Sequence, residues 1–368
     1  QRSREVGRLG ISEKTRMING MSKTTQAVFR TGRGEVVIRD MAVPEPDSKQ
    51  VLLRVKASLI SPGTETAPIR RSRQQPKDAG MDQTGYCVAG VVEKVGAEIS
   101  TLKEGDRIIA IEWGRAYHSP YVVLSGNMPV KIPYGIPFED AVFVSLAATG
   151  LHAVRRVQPQ LGEVMVIYGD GLIGQFASQF ARLSGCRVVM AGHHEHRLAI
   201  AKRLGAELTL NPEQTDPVAA VMEFTDNLGA DTGIIAFGGN GTAAFEQLVK
   251  MMVTPPDGQK VGRISITGMC DVTMSCGNFI GNINIFGATK GGAGYRDEEF
   301  HRGALYPRGY VRWTVTANLA EILREMHAGL FSVAPLLSHR IPFAEAPKGY
   351  EALITDPDSA LGVVITYE

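Results

Sequence analysis

The stretch from Val164 to Gly174 reads VMVIYGDGLIG and carries the strongest structural signal in this chain of 368 residues. Five apolar residues predict a buried strand, and the glycines after it, Gly169, Gly171 and Gly174, have the spacing G-x-G-x-x-G. Positions 175–183 continue with the apolar periodicity of a helix. The first glycine permits a tight turn, the second lets a pyrophosphate approach the backbone, and the third lets helix and strand pack closely. The stretch therefore predicts a dinucleotide site at the positive end of a helix.

Two different patterns of predicted secondary structure surround this motif. From about Phe138 onward, strand-like and helical segments alternate at a spacing that predicts a parallel, doubly wound sheet. The front section, 26–111, is rich in short strands around glycines and predicts a compact barrel-like domain. Within it, Ser61 to Glu65 (SPGTE) predicts a strand that breaks into a Pro-Gly turn, and the polar segment 70–77 predicts an exposed loop.

Composition excludes several classes of protein. Hydrophobic residues make up 44% and charged residues 21% of the chain, and the net charge is +1, so nothing suggests a nucleic-acid or membrane-surface partner. No apolar run reaches the length of a membrane span. The four cysteines never form C-x-x-C, which argues against a disulfide framework or a zinc knuckle and favours a reducing, cytoplasmic location. Residues 1–20 lack the apolar core of a secretory signal, and we expect a disordered leader there.

Several motifs taken together resemble the medium-chain dehydrogenase/reductase superfamily. Besides the glycine turn they are Gly90–Gly96 (GVVEKVG), Glu104–Ile108 (EGDRI), Ala148–Gly150 (ATG) and Arg197–Ala206. The resemblance extends from Lys23 to Glu368. It implies a GroES-like catalytic domain, formed by residues 21–143 and 291–368, into which a Rossmann domain, residues 144–290, is inserted. The fold class expected is therefore α/β, with a doubly wound Rossmann sheet inserted in a β-rich GroES-like barrel domain.

The same resemblance implies a homodimer, because many members of the superfamily join their Rossmann sheets edge to edge. The strand at Asn282–Phe286 is the expected edge. The Ser61–Glu65 segment is similar to a subgroup that includes bacteriochlorophyllide-type and other zinc-less alcohol dehydrogenases.

The zinc-dependent branch of the superfamily provides a direct comparison for the metal site. Matched by motif, Ser61, Tyr86 and Ser145 stand where that branch has a Cys, a His, and a Cys or Asp. Zinc prefers thiolate, imidazole or carboxylate ligands, and none of these three residues provides one. The four-cysteine structural zinc loop is missing as well, since residues 113–128 contain no cysteine. We therefore predict that the protein holds no metal.

Without zinc, a hydroxyl or imidazole must polarise the carbonyl oxygen and supply a proton during hydride transfer. Tyr86 is the first candidate because it occupies the position of the lost His ligand, although it could equally just fill the vacated volume. Thr64 matches the hydroxyl that relays protons in zinc-containing relatives. Glu65 could orient a hydroxyl or hold a substrate polyol, or it could cap a turn or pair with an arginine. His152 lies three residues past Thr149 on a predicted helix near the nicotinamide, where a structural role is its main alternative.

Substrate contacts are predicted at Ser61, Trp113 and Tyr117. The two aromatic residues lie in a loop where they could form an apolar wall, although packing explains them as well. The segment 291–308 could be a mobile substrate loop or plain surface.

The expected cofactor is NADP(H). NAD-binding Rossmann units place an acid about 20 residues after the first glycine, on the ribose 2′-hydroxyl. Here the strand ends at Gly192 (192 − 169 = 23), and no acid stands there. His193, His194 and Arg197 could instead bind a 2′-phosphate, unless Glu195 restores the acidic contact. The predicted cofactor contacts are Thr149, Gly169, Asp170, Gly171, Leu172, Ile173, Gly174, Gly192, His193, His194, Arg197, Phe237, Gly238, Thr267 and Gly268.

The sequence thus predicts a zinc-independent, NADP(H)-dependent oxidoreductase that interconverts a secondary alcohol and a ketone on a small or medium organic substrate. A quinone- or enoyl-type reductase of activated double bonds is the alternative, although the Asn-Pro-x-Asp typical of quinone reductases is replaced here by Ser61–Glu65. A non-enzymatic cofactor-binding protein is a third hypothesis, and the intact glycine turn and Thr149 argue against it. The substrate itself depends on loops that the sequence does not define.

Overall fold

The computed structural model describes residues 24–78, 80–277 and 279–368. The expected leader, 1–20, and the first three residues of the expected barrel domain, 21–23, lie outside this part of the chain. The front section consists of eight strands and one helix. In chain order these are β1 (Thr24–Thr31), β2 (Val36–Ala42), β3 (Gln50–Ile60), α1 (Pro62–Gln74), β4 (Met81–Gln83), β5 (Cys87–Val95), β6 (Arg107–Ile111), β7 (Tyr121–Ser125) and β8 (Val130–Lys131).

The middle of the chain alternates between helix and strand, as the sequence predicts. Its elements are α2 (Phe138–Ala141), α3 (Phe143–Val157), β9 (Val164–Tyr168), α4 (Leu172–Leu183), β10 (Arg187–Ala191), α5 (Glu195–Arg203), β11 (Leu208–Leu210), α6 (Pro217–Phe224), β12 (Thr232–Ile235), β13 (Gly239–Asn240), α7 (Thr242–Met251), β14 (Val261–Thr267), β15 (Cys270–Asp271) and β16 (Asn282–Ala288).

The end of the chain returns to the β-rich part. It contains α8 (Glu298–His301), α9 (Val315–His327), β17 (Leu337–Pro342), α10 (Ala346–Thr355) and β18 (Gly362–Thr366), with short 3-10 helices at Ala334–Leu336 and Phe343–Glu345. No helix in the described ranges is long and apolar enough to cross a membrane.

Strand pairing confirms the predicted fold class. Strands β11-β10-β9-β12-β14-β16 form a six-stranded parallel sheet, in which the chain runs outward from β9 in both directions. A second sheet pairs β17-β18-β3-β5-β6-β8, with β7 also on β3, and so combines strands from before and after the parallel sheet. This is a Rossmann sheet inserted into a β-rich domain. The expected edge strand does lie at one end of the parallel sheet, as β16.

Helix α1 corrects a local prediction. The segment expected to be a Pro-Gly turn and a loop is helical from Pro62 to Gln74. Proline suits the first helical position because the N–H that it lacks has no partner inside the helix there. The stretch resembles a loop in sequence because its apolar stripe is narrow: Ile69 is buried, whereas Arg70 and Arg73 bind α10 through Leu353 O and the Glu351 carboxylate.

Parallel strands bring their carboxyl ends to one edge, and this edge is where ligands bind in open α/β sheets. Five residues follow the carboxyl ends of these strands: Gly169 after β9, Gly192 after β10, Phe237 after β12, Gly268 after β14 and Lys290 after β16. Helix α3 connects this edge to the β-rich domain and is buried along nearly its whole length. A single hydrophobic core passes through α3 and includes residues of both parts of the molecule.

Candidate active site

The glycine turn has the geometry that a pyrophosphate requires. Gly169 has φ +113°, a left-handed conformation that favours glycine. A Cβ at Gly174 would overlap the carbonyl oxygen of Gly169, so only glycine permits this close packing of helix on strand. A Cβ at Gly171 would meet nothing, and no side chain caps α4 at this residue. The first N–H groups of α4 are therefore open to an anion, and the turn fits the pyrophosphate of a dinucleotide.

Asp170 fills the space next to the end of β10. Its carboxylate is buried and accepts a hydrogen bond from the His194 backbone N–H at 2.8 Å. The ring Nδ1 of His194 lies 3.0 Å from Asp170 Oδ2, and Nη1 of Arg197 lies 3.6 Å from Oδ1. A Cβ at Gly192 would overlap this carboxylate. The glycine at the strand end thus makes room for an acid that comes from the glycine turn instead.

Of the basic residues expected to hold a 2′-phosphate, two are therefore already engaged. Besides Asp170, Arg197 donates hydrogen bonds to the carbonyl oxygens of Pro357 and Ala360. His193 remains exposed, with Nδ1 3.3 Å from Glu213 Oε1. Glu195 points away from this place, because its Oε1 accepts a hydrogen bond from Asn211.

The remaining cofactor candidates lie around the same edge. Thr149 is half-buried on α3, and Gly238 and Gly268 are exposed just beyond β12 and β14. Thr267 is 1% exposed, and its hydroxyl has no hydrogen-bond partner among the described residues. The predicted contacts Leu172, Ile173 and Phe237 lie at the same edge, the first two at the start of α4 and the third just after β12.

A buried polar network lies on the barrel side of the cleft. Tyr86 donates a hydrogen bond from Oη to Ser61 Oγ at 2.7 Å, and the Ser61 N–H donates to Glu65 Oε1 at 2.8 Å. Glu65 Oε2 lies 3.1 Å from His118 Nε2 and accepts a hydrogen bond from Tyr350 Oη at 2.5 Å. Glu65 is therefore saturated with partners inside the protein, and it orients its neighbours rather than facing the cleft.

The proton positions in this network follow from its partners. A carboxylate can only accept, so His118 carries a proton on Nε2, toward Glu65. Its Nδ1 lies 2.7 Å from the Ser58 hydroxyl oxygen. His118 and Tyr350 are fully buried and were not identified from the sequence. No sequence pattern relates either of them to Glu65, since they lie 53 and 285 residues from it.

Burial makes the phenol of Tyr86 a weaker acid than a free tyrosine. Burial raises the pKa of its phenol well above the usual value, and hydrogen bonds with Ser61 and Thr64 oppose that shift in pKa. The hydroxyl therefore stays protonated at neutral pH. Thr64 is half-buried and lies beside the Tyr86 phenol. Two of the three positions that correspond to zinc ligands, Ser61 and Tyr86, are thus joined to each other by a hydrogen bond.

The donor set does not fit a catalytic zinc ion. The third motif-matched position, Ser145, donates its hydroxyl to Ala110 O at 3.1 Å. Across residues 24–78, 80–277 and 279–368, no three His, Cys, Asp or Glu side chains come close enough together to hold a metal ion. Hydroxyl groups that bind one another are poor ligands for zinc.

The other predicted site residues separate into two groups. Trp113 is 58% exposed, and its ring centroid lies 5.6 Å from that of Tyr86, so it belongs to the cleft. Tyr117 is buried in the core of the β-rich domain, away from this pair. His152 is half-buried on α3, where burial and then the charges of Arg156 and Arg155 lower the pKa of its ring. The structure records no contact that joins the described His152 side chain to Tyr86.

Comparisons with known proteins agree with this architecture. The family model described as "Zinc-binding dehydrogenase" matches residues 173–299. An alcohol dehydrogenase from Cupriavidus necator is 23% identical, over 94% of this chain and 99% of that protein. An oxidoreductase/dehydrogenase of unknown specificity from Escherichia coli, described as involved in membrane biogenesis, superposes with a TM-score of 0.76 at 19% identity, covering 94% of this chain and all of the other. A short chain alcohol dehydrogenase from Escherichia coli CFT073, solved with NADH, gives a TM-score of 0.74 at 18% identity and covers 93% and 99%.

Proposed function

We propose that the chain is a member of the medium-chain dehydrogenase/reductase superfamily and a zinc-independent oxidoreductase that interconverts a secondary alcohol and a ketone. The observation that carries this proposal is the contact between Tyr86 and Ser61, 2.7 Å apart, in a protein that also has the open glycine turn. It combines a proton donor with a cofactor site and with a donor set unsuited to zinc.

The chemistry follows from the residues of the cleft. When bound, the nicotinamide cofactor supplies or accepts the hydride. Tyr86 donates a proton to the carbonyl oxygen of the ketone as that oxygen gains negative charge, and Ser61 and Thr64 hold the phenol in place. Thr64 returns a proton from the opening of the cleft. Glu65, His118 and Tyr350 fix the loop that carries Ser61 and so act as positioning residues.

We propose NADP(H) as the cofactor, on the basis of Gly192 and the exposed His193. A specific observation favours NAD(H) as the second candidate. The buried carboxylate of Asp170 lies beside the end of β10, where an acid would accept hydrogen bonds from a ribose and repel a 2′-phosphate. Parallel fluorescence titration with NADPH and NADH distinguishes the two, because tighter binding of NADH by about tenfold, equivalent to ~1.4 kcal/mol, would overturn the NADP(H) assignment.

A substrate screen tests the reaction class. We expect the purified enzyme, dialysed against EDTA, to turn over secondary alcohols and ketones such as cyclohexanol and cyclohexanone, and added zinc to leave the rate unchanged. Reduction of cyclohexenone at its double bond, without turnover of any alcohol, would instead establish the enoyl-type alternative. Cofactor binding with no turnover of alcohols, ketones, enones or quinones would establish the non-enzymatic alternative. We also propose a cytoplasmic homodimer joined through β16, to be tested by sedimentation.

A further inference from the structure

Lys290 lies at the same sheet edge as the cofactor residues, and no sequence motif marks it. It follows the carboxyl end of β16 by two residues. Its backbone has φ +61°, a left-handed conformation that is uncommon for a residue with a side chain. Conformations of this kind persist where the surrounding structure imposes them, and they cluster at functional sites.

The surrounding structure does fix this backbone. Asn318 is fully buried and donates a hydrogen bond from its side-chain amide to Gly291 O at 2.7 Å. A Cβ at Gly291 would lie 3.0 Å from the Cβ of Ala148, so the chain packs directly against α3 here. Ala148 precedes Thr149, the predicted nicotinamide contact. Lys290 is therefore held next to the nicotinamide end of the proposed cofactor site.

The side chain of Lys290 extends between aromatic rings of the cleft. Its Nζ lies 6.0 Å from the ring centroid of Trp113 and 5.6 Å from that of Tyr295, distances at which a ring attracts a cation. Trp113 in turn packs on Tyr86 at 5.6 Å. Tyr295 is 5% exposed, and its hydroxyl has no hydrogen-bond partner in the described part of the chain. An ammonium and a buried hydroxyl thus belong to one cluster of aromatic side chains.

Lys290 carries a positive charge that no neighbouring acid neutralises. The charged and titratable groups that act on it are Arg296 and Cys87, and no carboxylate among the described residues is one of them. Burial is the largest cause of its lowered pKa, Arg296 adds to the lowering, and Cys87 opposes it. The thiol of Cys87 is itself fully buried, and its pKa is raised well above the usual value, so at neutral pH it offers no counter-charge.

We propose that Lys290 is a catalytic residue whose ammonium donates a hydrogen bond to the substrate oxygen and stabilises the alkoxide charge that develops on it. In this role it replaces the positive charge that zinc supplies in the zinc-dependent branch. The proposal rests on the proposed function, because it assigns a second group to the same reaction. Trp113 connects the two proposed groups, because its ring centroid lies 6.0 Å from Lys290 Nζ and 5.6 Å from that of Tyr86.

Ketone reduction adds one hydride and one proton to the C=O group. A new C–H bond forms at the carbonyl carbon with the hydride of the reduced cofactor, and the π electron pair of the C=O bond moves onto oxygen. That oxygen takes the proton from Tyr86 Oη, and the tyrosinate regains a proton from the cleft through Thr64. Lys290 keeps its proton throughout and contributes only charge and one hydrogen bond.

Lys290→Met tests the role with little change in side-chain volume, and Lys260→Met is its matched control. Lys260 is a second half-buried lysine whose pKa is lowered by burial, but it lies at the opposite end of β14, bonded to Lys250 O and Thr254. We expect kcat of Lys290→Met to fall about 100-fold or more with cofactor affinity unchanged. Lys290→Arg should retain more activity than Lys290→Met, and methylammonium should partly restore Lys290→Ala. Wild-type kcat in Lys290→Met, together with no rescue of Lys290→Ala, would overturn the proposal.

A binding measurement tests the same residue without turnover. Formate, a small oxyanion that resembles the charge of the alkoxide, should bind beside the oxidised cofactor on Lys290. By linkage, formate should then raise the affinity of the wild-type protein for that cofactor, read from tryptophan fluorescence. The effect should persist in Lys260→Met and fall at least tenfold in Lys290→Met. Equal enhancement in both variants, or none in the wild type, would contradict the assignment. Failure of the proposed function would appear separately, as a wild-type enzyme that turns over no substrate.

Discussion

The carboxylate of Asp170, within the glycine turn, accepts a hydrogen bond from the backbone N–H of His194 at 2.8 Å. An acid from one end of the dinucleotide motif therefore occupies the place where related units carry an acid at the end of the second strand. The absence of a side chain at Gly192 is what permits this exchange, because a Cβ there would overlap the carboxylate.

Replacing this acid should change cofactor choice. In Asp170→Asn, the repulsion against a 2′-phosphate disappears, and His194 and Arg197 lose an anionic partner. We expect the ratio of the NADH and NADPH dissociation constants to move toward NADPH by about tenfold, or ~1.4 kcal/mol. The measurement is a paired titration of wild type and variant at one salt concentration. A ratio that does not move would mean that Asp170 does not face the ribose.

Gly192→Ala should destabilise the fold. The new methyl group meets the Asp170 carboxylate in a packed place, and overpacking of this kind costs about 1–3 kcal/mol. Urea denaturation gives the free energy of unfolding. The same substitution made in an Asp170→Ala background should cost less, since the clashing group is gone. Equal costs in the two backgrounds would contradict the contact.

Tyr86→Phe separates catalysis from packing. Phenylalanine fills the same volume but lacks the proton and the hydrogen bond to Ser61. If Tyr86 is the proton donor, kcat should fall by roughly 10²–10⁴ while the melting temperature changes little. Ser145→Ala, which removes a hydroxyl bonded to Ala110 O outside this contact, is the control for the loss of a buried hydroxyl. Normal activity of Tyr86→Phe would leave Tyr86 with the space-filling role alone.

Glu65→Gln should weaken the loop that carries Ser61. The amide oxygen still accepts hydrogen bonds, but the NH2 group that replaces the second oxygen only donates, so His118, Tyr350 and the Ser61 N–H cannot all be paired as they are by the carboxylate. Loss of a hydrogen bond to a buried charged group costs about 1.5–3 kcal/mol. We expect a lower free energy of unfolding and, in the fraction that remains folded, a reduced kcat. Arg73→Gln, which breaks the more exposed pair with Glu351, should cost about 1 kcal/mol or less.

Stability should decline at alkaline pH because of two buried phenols. Burial raises the pKa of Tyr86 and of Tyr350 well above the usual value. A group with a raised pKa in the folded state stabilises fully below its unfolded pKa, about 10 for tyrosine, and that contribution is lost as the pH rises toward the folded pKa. The free energy of unfolding should therefore fall above about pH 10, and Tyr350→Phe should reduce the slope. An unchanged slope would mean that Tyr350 does not contribute to it.

Much of the fold could be predicted from the sequence because its signals are local. Glycine spacing at Gly169, Gly171 and Gly174 depends only on backbone conformation and close packing, and alternating strands and helices follow from apolar periodicity. Helix α1 was missed for a local reason too: its narrow apolar stripe around Ile69 resembles a polar loop. The cofactor edge follows from the parallel sheet, since every strand ends on the same side.

The amino-acid sequence by itself determined the class of fold and the position of the glycine turn, because these depend on residue type and spacing, and through the resemblance it predicts that Ser61, Tyr86 and Ser145 replace zinc ligands. Only the tertiary structure decided which groups meet. Three sets of contacts join residues that are far apart in the chain or turned toward each other by a loop. Asp170 pairs with His194, Glu65 is bonded to His118 and Tyr350, and Lys290 lies between Trp113 and Tyr295. Such contacts depend on side-chain direction and burial, which no local pattern of residues encodes.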